Sequence, residues 1–60
     1  MTPEGALDYL HELHWSVGEF QTTDGVWHVY GHRENDKIIG RGSTEAEAWQ
    51  AAVMAAESVR

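Results

Sequence analysis

Four histidines in a chain of 60 residues are the feature best suited to chemistry. His11 and His14 stand three apart, a spacing that puts both imidazoles on one face of a helix, where they can chelate a divalent ion. Glu12 is offset by about 100° around the same helix and makes a poor third ligand. His28 and His32 fall on one face of a strand, but four extended residues span roughly 13 Å, too far for a shared ion. A metal centre therefore needs one imidazole of the first pair to meet one of the second. If helix and strand face keep them apart, they are ordinary surface or half-buried side chains, with His14 at the negative end of a helix dipole. His11 and His14 are the candidates for a metal, but no metal or other cofactor is expected.

Other chemistry has less to build on. The chain has no cysteine, hence neither a thiol nucleophile nor a disulfide. Ser16, Ser43 and Ser58 lie in no nucleophile motif, and Ser43 stands where helix capping explains it. Gly40-Arg41-Gly42 lacks the lysine and the length of a phosphate loop. A chain this short leaves little room for a substrate pocket of about 300 Å³. The expectation is a protein that is not an enzyme.

The elements that must position these residues can be read in order. Thr2-Pro3 is a helix start: threonine is a preferred N-cap, and proline at the first helical position gives up a donor with no partner there. Ala6, Leu7, Leu10, Leu13 and His14 recur at spacings of three and four, so the pattern predicts a helix over 3–14 with one apolar face. Residues 17–23 and 26–32 read as strands around Asp24-Gly25, a short hairpin signal. Residues 37–41 make a third strand after the polar turn Glu34-Asn35-Asp36. Thr44-Glu45-Ala46-Glu47 matches a capping box, in which the Thr44 hydroxyl caps Glu47 and the Glu47 carboxylate reaches back. The alanine-rich run that follows predicts a helix over 44–59.

The whole reads as one α+β domain over residues 1–60, αβββα, with a three-stranded antiparallel sheet and both helices on one face. Trp27, Val29 and one of Ile38 or Ile39 should lie beneath the helices. Trp15, Trp27 and Trp49 come from different thirds of the chain and are expected to join in one core, because so small a domain buries only about 60% of its unfolded surface. Trp15 and Val17 share one strand parity and Phe20 has the other, so a bulge near Gly18 is expected.

Charge narrows the partners. The formal net charge is −6, and the first thirty residues carry five carboxylates and no lysine or arginine. Such a balance offers few cations to phosphate backbones, so nucleic acid is not an expected partner. No apolar run approaches the ~20 residues of a membrane span, and the acidic N-terminus is unlike a targeting peptide. The expected location is the cytoplasm.

The order of elements, with Gly40-Arg41-Gly42-Ser43 leading into the run Glu45 to Ala56, resembles the double-stranded-RNA-binding domain. That family carries a lysine cluster at the start of its last helix. Here the matching stretch is Ser43-Thr44-Glu45-Ala46-Glu47, so the resemblance implies the topology without the RNA contacts. The chain also resembles small phage-type "ABA sandwich" domains of unknown function. That likeness lies in Trp15 closing the first helix, Trp27 in a middle strand, and Ala48-Trp49 in a capped helix. Where those domains often have a glycine before the first tryptophan, this chain has Leu13-His14.

What remains is binding. The open sheet face should carry His28, Tyr30, His32 and Arg41, joined by Val17 or Phe20. Tyrosine and arginine are enriched where interfaces hold their energy. The sequence therefore reads as a small acidic accessory domain that binds a protein, or a second copy of itself as a homodimer, through that face or an edge strand. Two alternatives are an acidic mimic of phosphates that occupies a nucleic-acid-binding protein, and a His-based divalent metal domain.

Overall fold

The computed structural model describes residues 2–59. Helix α1 (Pro3–Glu12) is followed by strands β1 (Ser16–Gln21), β2 (Trp27–Arg33) and β3 (Asp36–Gly42), and by helix α2 (Glu45–Ser58). The strands form an antiparallel meander in the order β1-β2-β3, so the arrangement is the αβββα expected from the sequence.

Both helix starts form as their sequences dictate. The Gly5 N–H donates to the Thr2 hydroxyl (3.1 Å), and the Glu47 N–H donates to the Thr44 hydroxyl (3.2 Å). In the second half of the capping box the Glu47 carboxylate reaches back, as expected. The Glu47 carboxylate accepts chiefly from the hydroxyls of Ser43 (2.6 Å) and Thr44 (3.3 Å). These hydroxyls hold the Glu47 carboxyl below its ordinary range.

Helix α1 ends two residues earlier than its apolar pattern predicts. Leu13 is the C-cap, and His14 takes a left-handed conformation (φ 69°). The His14 N–H donates to the His11 carbonyl and the Trp15 N–H to the Leu10 carbonyl, both at 3.0 Å. These are the two bonds of a Schellman motif, with histidine where glycine is usual. The motif turns Trp15 back onto Leu10, and both are buried.

The hairpin from β1 to β2 is longer than Asp24-Gly25 alone. The Gly25 N–H donates to the Thr22 carbonyl and the Thr22 N–H to the Val26 carbonyl, each at 2.9 Å, around Gly25 at φ 87°. This is a three-residue loop ending in a left-handed glycine, so β1 ends at Gln21 and not at Thr23. The Thr22 hydroxyl also donates to the Asp24 carboxylate, and this bond holds the carboxyl below its ordinary value. From β2 to β3 the loop is Glu34-Asn35, with Arg33 opposite Asp36 and Glu34 at φ 53°.

The expected bulge near Gly18 is absent: β1 pairs with β2 in unbroken register from Ser16↔His32 to Gln21↔Trp27. Phe20 therefore points away from the helices, and Glu19 points towards them. The Trp49 indole N–H donates to the Glu19 carboxylate at 3.4 Å.

Helix α1 packs on β1 and α2, and α2 packs across β2 and β3. Leu10, Trp15, Val29, Ile38, Trp49 and Val53 fill the core, with Ala6, Ala48, Ala52 and Ala56 buried among them. Of the two isoleucines, Ile38 is inside and Ile39 outside. Trp15 and Trp49 are buried as expected, but Trp27 is only half-buried. It opens β2 at one end of the sheet, opposite Gly42, which has no side chain, and Gln21, whose amide donates to the Gly25 carbonyl in the hairpin loop.

The alanine stripe of α2 lies almost on the backbone of β3. A Cβ at Gly40 would fall 2.9 Å from Ala52 Cα and nearer still to the Ala48 carbonyl oxygen and the Ala52 nitrogen. Arg33, on the helix side of β2, ties the end of α1 to the sheet. Its guanidinium donates to the Leu13 carbonyl (2.9 Å) and lies 4.5 Å from the centre of the Trp15 ring. No helix among the described residues is long and apolar enough to cross a membrane.

Candidate binding face

The registers of the two hairpins decide what the uncovered face carries. Across the sheet, Phe20, His28 and Arg41 form one row, Gly18, Tyr30 and Ile39 the next, and Ser16, His32 and Lys37 the third. Alternation sends all nine side chains, or the glycine hydrogens, away from the helices. The sequence-predicted residues His28, Tyr30, His32 and Arg41 therefore share one face. Of the two candidates from the first strand, Phe20 joins them, while Val17 lies on the helix side and packs against the core.

Three large apolar side chains are left exposed there. Phe20 is 47% exposed, Tyr30 48% and Ile39 57%. They belong to adjacent rows on three strands, so they form a patch and not scattered single residues. The patch is ordered from within. The Phe20 ring stacks on the His28 imidazole with centroids 4.7 Å apart and planes 8° apart. Tyr30 lies 6.0 Å from Phe20 in a tilted arrangement. The Tyr30 ring lies across Gly18, where a Cβ would fall 2.6 Å from its hydroxyl oxygen. Glycine at position 18 therefore lets the tyrosine lie flat on the sheet. A shallow depression of about 430 Å³, lined by Tyr30, His32, Lys37 and Ile39 and floored by Gly31 and Ile38, opens beside it.

The histidines divide by side. His28 and His32 are on the open face, while His11 and His14 belong to the end of α1, which packs on the opposite side. The fold does not bring the two pairs together. Among the described residues, no three His, Asp or Glu side chains converge to hold a metal ion.

A second concavity, about 530 Å³, lies between the start of α1, β1 and the start of α2. Glu4, Glu19, Glu45 and Trp49 line it. The neighbouring Glu19 carboxyl raises the Glu45 carboxyl above its ordinary value, through a shared hydrogen bond and like charge.

Ile39 and Lys37 also lie on the open face, beyond the residues expected there from the sequence. Both follow from the register once Ile38 is fixed inside, since alternation then sends 37, 39 and 41 outward. No protein-family profile, curated protein or solved structure matches this chain.

Proposed function

We propose that the chain is a non-enzymatic accessory domain that binds a protein partner through its open sheet face. The observation that carries this reading is the joined, internally ordered patch of Phe20, Tyr30 and Ile39 left in solvent. A domain of this size needs its apolar surface inside. Placing three large apolar groups outward, with glycine beneath the tyrosine, costs core material and supplies a rigid anchor surface. Aromatic rings held in place in the free protein lose little side-chain entropy on binding.

The test is affinity capture with the parent chain and with the double variant Tyr30→Ala/His28→Ala. Both positions are on the uncovered face, so the variant keeps the core. Loss of a saturable partner with unchanged circular dichroism supports the reading. Equal capture by parent and variant removes the face from consideration.

A further inference from the structure

The charge of the open face is opposite to that of the molecule. The chain carries ten carboxylates against four lysines and arginines. None of the ten projects from the nine open-face positions, which hold Lys37 and Arg41 together with two imidazoles. Glu19 and Asp36 are on the helix side of their strands, Asp24 and Glu34 are in the hairpin loops, and the other six are on the helices. We infer that the partner presents a short extended segment in which acidic and apolar residues are mixed. The inference rests on the open-face reading above and adds the chemistry of what binds there.

The geometry sets the size of the segment. Three strands about 4.8 Å apart and some five residues long give a platform of roughly 14 by 17 Å. That is well under the ~800 Å² per partner that a standard stable interface buries. A folded domain finds too little area there, whereas five or six extended residues cover it. Phe20, Tyr30 and Ile39 receive the apolar side chains, with one entering the depression beside Tyr30. Arg41, in the row of Phe20, and Lys37, in the row of His32, flank that strip and meet carboxylates, and imidazole N–H groups add donors.

The same arrangement disfavours the other occupants. Two copies meeting face to face bring four lysine and arginine side chains and no open-face carboxylate into one interface. A nucleic-acid strand would find two permanent cations, so few counterions would be released. Beyond the platform it would run past the carboxylates of the hairpin loops and helices. A short acidic segment ends before it reaches them.

Display of a random dodecapeptide library on the full chain tests this directly. The expected result is enrichment of peptides that combine Asp or Glu with Leu, Ile or aromatic residues. Their affinity should fall at least about tenfold in the double variant Lys37→Glu/Arg41→Glu, and about tenfold when their acids are changed to amides. Enrichment of neutral or basic peptides that still lose binding in Tyr30→Ala/His28→Ala overturns the charge inference and leaves the face standing. Peptides indifferent to both double variants, or no enrichment at all, overturn both. Tighter binding of oligo-dT than of any selected peptide, or concentration-dependent sedimentation reversed by Tyr30→Ala/His28→Ala, would replace the acidic segment with a nucleic acid or a second copy.

Discussion

Replacing Gly40 by alanine should cost about 2 kcal/mol, and the structure shows where the cost arises. The added Cβ would meet the backbone of α2 at Ala48 and Ala52, not the end of a flexible side chain. To reach ordinary contact, α2 must lift from β3 by up to roughly 1 Å, a gap that forfeits a quarter to a half of each dispersion contact across it. The contacts at risk belong to Ala48, Trp49, Ala52, Val53 and Ile38, all buried. Overpacking a core costs about 1–3 kcal/mol, and a neighbour made of backbone belongs at the upper end. Alanine returns about 0.5–1 kcal/mol by restricting the unfolded chain. A chain of this length has a total stability of roughly 3–9 kcal/mol, so the substitution removes a large fraction of it. Urea unfolding followed by tryptophan fluorescence reads the change, with Ile39→Ala on the opposite face of β3 as the mild control. Adding Ala52→Gly should not rescue the loss, because the clash is with backbone. A Gly40→Ala midpoint equal to the parent's would refute the close packing of α2 on β3.

Other expectations follow from particular residues. His14→Gly should stabilise by about 0.5–1 kcal/mol, since a left-handed non-glycine residue costs about 1–2 kcal/mol and glycine's unfolded-state entropy offsets part of that; thermal unfolding measures it. Arg33→Ala should cost about 2 kcal/mol, combining a charged hydrogen bond to the Leu13 carbonyl with the Trp15 stacking, and Arg33→Lys should recover little of it. The Glu47 carboxyl is held below its ordinary value of 4.5 when folded. Its contribution is therefore complete above that value and is lost as the pH falls through the lowered folded one. Ser43→Ala should lower the urea midpoint at neutral pH and leave it nearly unchanged in strong acid. Glu45 behaves oppositely: its carboxyl is raised by Glu19, so Glu45→Gln should raise the midpoint at neutral pH and not in acid.

Much of the fold was legible because its signals are local. Thr2-Pro3 and Thr44 mark helix starts through their own hydroxyl and ring chemistry, and the alanine run anticipates a helix seated close on the sheet. The errors lie where local and global signals compete. A strict 3.6-residue pattern carries α1 to His14, but the chain turns at Leu13 through a Schellman motif whose usual glycine is missing. Trp15 and Val17 have one strand parity and Phe20 the other, which reads as a bulge near Gly18. The unbroken register instead turns Phe20 outward and leaves Glu19 on the helix side, at a rim where its carboxylate stays exposed. Trp27 reads as core by type and parity, yet its place at the end of the sheet leaves it half-covered. Arg33 has the same parity as Val29 and Gly31, so its helix-side position was available from the pattern. Its partner, a helix-terminal carbonyl, depends on the tertiary placement of α1. The open face was legible as a row of His28, Tyr30 and His32 in β2. Its full extent and its freedom from carboxylates emerged only when both neighbouring registers were known.

The proposed function requires that partners be held by the uncovered side of the sheet. Amide chemical-shift mapping of the ¹⁵N-labelled chain during titration with a captured partner or a selected peptide tests it most directly. The expected result is saturable shifts centred on Phe20, His28, Tyr30, Ile39 and Arg41, with α1 and α2 left still. Shifts centred instead on the helices, or around the cleft of Glu19, Glu45 and Trp49, would contradict it.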